Sequence, residues 1–525
     1  MVWDAWGIPA GHKPLSAQIR GLLTQVFGVS GDPLPRRDEH DVPLRESALT
    51  PGQRAELVEV VGAANVSTGH RDRLRHAGGK STPDLLRRRA DGPQDAPDAV
   101  VFPADHEQVL AVLAVCAEHA VAVVPFGGGT SVVGGVDPVR GRFATVITLD
   151  LRRLDAVTRI DPISGTATLG AGLTGPRAEE LLGAHGLSLG HFPQSFEFAS
   201  IGGFAATRSS GQASAGYGRF DDMVQRLKIA TPSGTLELGR APASAAGPDL
   251  RELFVGSEGA LGVVTEVTLR VHPVPETIAY QAWSFPDFET GVAALRSVVQ
   301  AGAAPTVLRL SDEAETGVNL ARSGNVGGKS VAGCLAITTY EGTAAHVAAR
   351  SAEAAAVLVA AGGAALGATP AEEWEHGRFA APYLRDALLD VGVLCETLET
   401  ATTWSNLAAL KTEVTTALTN ALGAQGTPPL VMCHISHTYP TGASLYFTVV
   451  AKQRDDPISQ WQVAKRAVGD AIIAAGGTIT HHHAVGTDHR PWLPDEVGDL
   501  GVRVLRAVKA ELDPAGILNP GKLVP

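Results

Sequence analysis

Three glycine-rich segments constrain this chain more than any other feature. They are PFGGGTSVVGG at 125–135, PQSFEFASIGGFAATRSSGQ at 193–212 and GSEGALGVVTE at 256–266. Glycine lets main-chain amides close on a pyrophosphate and form anion-holding nests, and Ser and Thr hydroxyls add donors. Any one segment alone reads as a turn. All three in this order predict a chain that wraps a phosphate-rich ligand. None is a dinucleotide-binding fingerprint. Gly256, Gly259 and Gly262 have the wrong spacing, the first segment lacks the expected helix start, and no phosphate-binding lysine follows.

The surrounding pattern is α/β. AVVFP, from Ala99, reads as a short strand. Asp105 with Gln108 predicts a capping box, opening a helix with Val109, Val112, Leu113 and Cys116 on one face. VAVVPF is a buried strand that runs into the first glycine segment. Residues 145–171 read as strands with turns at Asp161-Pro162 and Ser164-Gly165, and a helix follows over roughly 173–185. The block from about 276 to 480 alternates helices and strands without long glycine loops, as a separate α+β domain would. The expected divisions are an N-terminal helical segment (1–94), a ligand-wrapping domain (95–275), a second domain (276–485) and a returning tail (486–525) with a helix near 494–511.

The length of 525 residues agrees with two or more domains. A net charge of −12 disfavours nucleic-acid binding. Cys116, Cys334, Cys395 and Cys433 are too scattered for a disulfide framework or a metal pattern, so buried thiols in a reducing compartment are expected. The start, MVWDAWGIPAGHKPLS, lacks the basic and apolar regions of a secretion signal. No run of about eighteen apolar residues would span a membrane. A cytoplasmic enzyme is the expectation, and the excess of Arg over Lys with abundant Ala and Gly fits a high-GC bacterial genome. Leu15, Ile19, Leu22, Leu23, Val26 and Phe27 recur at helical spacing. They predict a helix packed on its own protein, with a membrane-touching face as the alternative.

One motif stands apart: His481, His482 and His483 in GGTITHHHAVGTDH, expected between a strand and a loop. Imidazole is the side chain that titrates nearest neutrality. On an extended chain side chains alternate, so His481 and His483 would face one way and His482 the other. That suits proton handling or anion binding.

The ordered segments resemble the vanillyl-alcohol-oxidase type of FAD-binding proteins. A narrower resemblance, to the alkyldihydroxyacetonephosphate synthases, rests on TRSSGQASAGYG, VLRLSD, CHISHTYPTGASLYF, GGTITHHHAVG and the N-terminal WDAWGIP and RHAGGKSTPDLLRRR. The implied fold is α+β, with a two-subdomain FAD-binding domain and an α+β cap over the flavin. The implied cofactor is non-covalent FAD. Its holders would be Pro125, Phe126, Gly127, Gly128, Gly129, Thr130 and Ser131, then Gln194, Ser195, Ser200, Gly202, Gly203, Thr207, Arg208, Ser209 and Ser210, and last Glu258, Gly259, Gly262, Val263 and Val264. No His sits in the first loop, and no Cys in the later one, to tether it. The implied reaction exchanges the acyl group of an acyl-dihydroxyacetone phosphate for a fatty alcohol through a flavin N5 adduct. Tyr446 would be its acid/base, His481, His482 and His483 an essential triplet, Arg309 an active-site arginine, and Arg385 the holder of the substrate phosphate. A dianionic phosphate suits a bidentate guanidinium.

The expected partner is a phosphate-bearing, lipid-like small molecule, with no nucleic acid. Peripheral membrane contact and a homodimer stay open. The short, glycine-rich stretch 317–335 suggests an altered tunnel for the fatty chain. The rival is an FAD-linked oxidoreductase of a 2-hydroxyacid, of the D-lactate or glycolate type. Such enzymes carry GHxGDGNLH and GEHG segments that often bind a divalent metal. Here Tyr446 replaces a ligand His and His482 replaces the Glu, so no metal is expected, although His434, His437 and the triplet leave some room for one. A flavoprotein scaffold without chemistry is the remaining alternative.

Overall fold

In the computed structural model, residues 1–29, 32–34, 36–322 and 333–525 are described. The first sheet has the order β1 (Val66–Ser67), β2 (Ala99–Val101), β4 (Thr145–Asp150), β3 (Val121–Phe126). β2, β4 and β3 are parallel, and β1 joins antiparallel to β2. β4 is buried throughout and β3 at all but one position, as parallel strands covered on both faces must be. The helix His106–Glu118 covers them with Val109, Val112, Leu113 and Cys116. Asp105 caps that helix by accepting from Gln108 N, but the Gln108 side chain accepts from Ala104 N rather than from the cap residue. The capping box is half formed.

The second sheet is antiparallel. Its order is β5 (Val157–Asp161), β6 (Thr166–Gly170), β10 (Val263–Arg270), β8 (Val224–Thr231), β9 (Gly234–Leu238). A short pair, β7 (Leu187–Ser188) with β11 (His272–Pro273), lies beside it. The helix expected over 173–185 spans Gly175–Gly183.

The second domain is one large sheet. Its path is β15 (Ala364–Gly367), β12 (Thr277–Phe285), β14 (Cys334–Gly342), β13 (Val307–Ser311), β17 (Leu430–Ile435), β19 (Gly442–Lys452), β16 (Val393–Thr403), with β18 (Thr438–Tyr439) paired to β19. Alternation gives the sheet two faces. One carries Leu308, Leu310, Leu398, Cys433, Leu445 and Phe447 into the main core. The other is apolar only at its ends. Ala282, Leu335 and Ile337 lie at one end, and Val393, Cys395, Met432 and Val450 at the other. Between them the register places Arg309, His434, Tyr446 and Glu399 on neighbouring strands. That polar strip sets the site.

The N-terminal 94 residues are not a separate helical segment. β1 belongs to the first sheet, and Leu57 and Val61 join its core. The helix Ala17–Phe27 buries Leu23 and packs Leu15, Ile19 and Phe27 on the cap's far end, whereas Leu22 and Val26 remain exposed. The tail pairs with the first sheet. Val123 N donates to Ile517 O and Asn519 N to Val123 O, and Ile517 and Leu518 enter the first core. The tail helix, Leu493–Leu512, is broken at Gly498 by a left-handed φ of 73°. No described helix is long and apolar enough to cross a membrane. The suggested change in the fatty-chain tunnel falls mostly on 323–332, outside the described residues.

Candidate active site

The three glycine segments converge. A Cβ at Gly128 would lie 1.9 Å from Phe198 O, and one at Gly127 would lie 2.1 Å from Ser200 Oγ. A Cβ at Gly259 would lie 2.7 Å from Pro125 Cγ, and Glu258 N donates to Ala206 O. The segments therefore pack on one another where any added side chain would intervene. Gln194 Nε2, Ser257 Oγ and Asn519 Oδ1 are buried in these and the tail segments without hydrogen-bond partners. Buried polar atoms are rarely left so. A cradle closed to side chains and edged with unspent polar groups fits FAD.

Several expected holders of the cofactor have committed side chains. Arg208 pairs with Asp221 and Glu252 and donates to Val255 O. Ser131 accepts from Gly135 N, Ser200 caps a short helix at Gly203 N, and Thr207 donates to Gly203 O. Ser209 bonds His191. Val263 and Val264 are buried in β10. For Val263 and Val264 only the backbone is left for FAD, whereas Ser131 and Ser200, which accept in these bonds, keep their hydroxyl hydrogens to donate. Glu258 is fully inside and accepts from Gly486 N with both oxygens. Burial pushes its carboxyl up to about 7. It ties the third glycine loop to the chain just past the His triplet.

The triplet does not follow a strand, and its rings do not alternate. His481 N, His482 N and His483 N all donate to the Glu399 carboxylate, which also accepts from Thr480 Oγ1. Three successive amides can point at one acceptor only if the chain coils round it. The coil gathers the rings into one cluster. His481 Nδ1 lies 3.0 Å from His482 Nδ1, and the His482 and His483 centroids lie 4.8 Å apart. Burial works against a charge on Glu399, but the imidazoles of His482, His483 and His481 and the Thr480 hydroxyl outweigh it, so the carboxyl sits well below its usual range. Burial pushes the imidazoles down, His483 to about 3, so the rings are uncharged at neutral pH.

Tyr446 stands between two histidine groups. Its ring stacks on His434 at 4.8 Å and 17°, and meets His482 at 6.0 Å and His483 at 5.6 Å. Burial holds its phenol above the ordinary range. Behind His434 runs an ion-pair chain. His434 Nδ1 bonds Glu315 Oε2 at 3.0 Å, and Arg309 Nη2 bonds Glu315 Oε1 at 2.7 Å. Glu315 falls to about 2 against its burial because His434 and Arg309 flank it. His437 stacks on His481 at 5.0 Å and bonds Ser210, so the second glycine segment touches the cluster. His437, His481 and His482 present ring nitrogens within 4.8 Å of one another, a set compatible with a metal ion. The structure thus brings Arg309, Tyr446 and all three histidines together.

Arg385 lies in a buried ion pair. It donates to Asp386 Oδ1 from Nε and Nη2, and to Lys80 O from Nη1. Lys80 N in turn donates to Ser131 O, so Arg385 links the cap to the first glycine loop. Glu399, Glu315 and Tyr439 were not singled out by motif. A signal existed for the first: β16 reads VLCETLETATT, and two glutamates in a strand that opens with three apolar residues require partners if it is buried.

This cradle beneath an imidazole-lined cap is the arrangement of an FAD-linked enzyme. Residues 97–239 match the FAD binding domain family, and residues 274–523 match the FAD linked oxidases, C-terminal domain. An alkyldihydroxyacetonephosphate synthase from Dictyostelium discoideum is 35% identical over 86% of this chain and 77% of its own length. One from Trypanosoma brucei brucei is 34% identical over 100% and 92%. A solved alkyldihydroxyacetonephosphate synthase structure superposes with a TM-score of 0.84 at 29% identity, covering 99% of this chain and 98% of that one. The chain belongs to the alkyldihydroxyacetonephosphate synthase family of FAD-dependent enzymes.

Proposed function

We propose that this enzyme replaces the acyl group of an acyl-dihydroxyacetone phosphate with a long-chain alcohol, releasing the fatty acid and leaving an ether. The observation that carries the reading is the cluster of Tyr446, His434, His482 and His483 over Glu399, on the cap face, in a chain of this family. FAD, when bound, supplies an electron-rich ring as reacting partner for the substrate carbon. It is held without a covalent bond by the backbone of 125–131, 194–210 and 258–264. No Cys or His lies in the first of these, and all four cysteines are buried.

The chain's own groups then handle protons. The phenol of Tyr446 stays protonated and the neighbouring rings stay neutral, so a donor and acceptors stand side by side. Arg309, shared with Glu315, keeps positive charge beside His434 where a carboxylate leaves. Arg385, with guanidinium hydrogens beyond those it spends on Asp386 and Lys80, binds the substrate phosphate. Leu22 and Val26, outward on an N-terminal helix, touch the membrane that carries the fatty substrates.

The test is direct. Purified flavin-loaded enzyme, given acyl-dihydroxyacetone phosphate and a fatty alcohol, is expected to release fatty acid and form the ether in equal amounts. No ether product, together with flavin bleaching by a D-2-hydroxyacid, would establish the oxidoreductase instead.

A further inference from the structure

The hydrogen bonds around the triplet run in series. Tyr439 Oη lies 2.6 Å from His481 Nε2, and His481 Nδ1 lies 3.0 Å from His482 Nδ1. Both nitrogens of His481 are thus engaged, on opposite edges of the ring. A contact between two Nδ1 atoms needs one donor and one acceptor. At the inner end, His482 lies nearly parallel to the Tyr446 ring, at 6.0 Å and 19°. At the outer end, the Arg219 guanidinium lies near the Tyr439 phenol and pairs with Asp221. The ring of His437 stacks on His481 and keeps it in line.

We propose that Tyr439, His481 and His482 form a proton path out of the active site. The need for one follows from the proposed reaction, on which this inference rests. An ether C–O bond forms and the ester C–O bond breaks. The carboxylate leaves with the electron pair, and the hydroxyl proton of the alcohol has to go elsewhere. At neutral pH the fatty acid is ionised, so each turnover releases one proton.

The path accounts for it atom by atom. His482 takes the proton at Nε2 and passes its Nδ1 proton to His481 Nδ1. His481 passes its Nε2 proton to Tyr439 Oη, and the phenol gives its own proton to water. One proton enters, one leaves, and each ring ends in its other tautomer. A neutral imidazole carries one donor and one acceptor nitrogen, so each ring can accept and donate at once. Tyr439 and His481 act through His482 and need not touch substrate.

Tyr439→Phe keeps the ring and removes only the oxygen. The expected result is unchanged FAD content and KM, with kcat at pH 7 lowered about 100-fold, the low end for a lost proton-transfer group. Added imidazole buffer should restore part of the rate. Wild-type kcat should fall along a curve as the D2O fraction rises, because several protons move together, and the variant should give a straight line. A variant as fast as wild type overturns the path. So does a slow variant with no buffer rescue and an unchanged isotope curve. One equivalent of metal bound by His437, His481 and His482 also overturns it, since a ring nitrogen held by the ion can no longer pass a proton. If Tyr439→Phe loses its flavin or fails to fold, a straight wild-type line rejects the path and a curved one supports it. A wild-type enzyme that forms no ether removes the functional reading and the path with it, whereas an active wild type beside a fast variant removes the path alone.

Discussion

The glycine cradle and the imidazole cluster meet where Ser210 bonds His437, and they are built in opposite ways. The cradle is made of backbone, and its contacts depend on the absence of side chains, as at Gly127 and Gly128. The cluster is made of side chains brought from four strands and a coil, with Glu399 holding the coil. A cradle tolerates no added atom, whereas a cluster tolerates no lost charge or oxygen. Binding of FAD and turnover should therefore fail separately.

The largest expected effect belongs to the cluster. Tyr446→Phe should lower the rate on the order of 10²–10⁴-fold, with FAD content and melting temperature unchanged. Near-normal turnover would return Tyr446 to a packing role and undo the contrast. Glu399→Gln comes next. Its amide nitrogen cannot accept from a main-chain N–H, so one of the amides now satisfied would lose its partner. An unsatisfied buried donor costs about 1–3 kcal/mol, and kcat should fall with KM largely kept. Glu399→Asp should recover part of the rate. Equal loss of FAD and of activity in Glu399→Gln would mean that the coil supports the cradle as well.

Gly128→Ala tests the other side. Its Cβ would overlap Phe198 O, so the loops must part, at about 1–3 kcal/mol for overpacking. Flavin should be lost on gel filtration, and excess FAD should restore kcat to the wild-type value. A variant that keeps its flavin would show that the cradle has slack. Arg385→Ala sharpens the comparison, because Arg385, on the cap, reaches the first glycine loop through Lys80. Losing a charge-assisted phosphate contact should cost about 2–5 kcal/mol in binding, and a phosphate-free analogue should lose much less. Equal losses for the two ligands would assign Arg385 to the Asp386 and Lys80 link alone.

The smallest effect concerns Glu258, where cradle and cluster meet. Its folded pKa is raised from the usual 4.5 to about 7 by burial. Between those values the folded state binds the extra proton, so stability is full below about 4.5 and falls as pH rises through about 7. Glu258→Gln should flatten that slope in urea titrations across the window. An unchanged slope would mean that another group titrates there.

Much of this protein was legible in its sequence. The glycine segments announced themselves because what they need is local: small residues in a fixed order, next to strands whose apolar alternation is also local. The helix at 106–118, the first parallel strands and the return of the tail followed from the same short-range patterns. The cluster was legible only as a list. Tyr446 and the triplet could be named, but not that the chain coils at 481–483 instead of extending, since that depends on Glu399, more than eighty residues earlier. β1 escaped notice for a related reason: two residues carry no periodicity, and only pairing with β2 defines them. Sequence by itself determined the residues with unusual chemistry and the loops that need glycine. Only the tertiary structure decided which of them meet, because register across β13, β17, β19 and β16 sets neighbours that no spacing along the chain encodes.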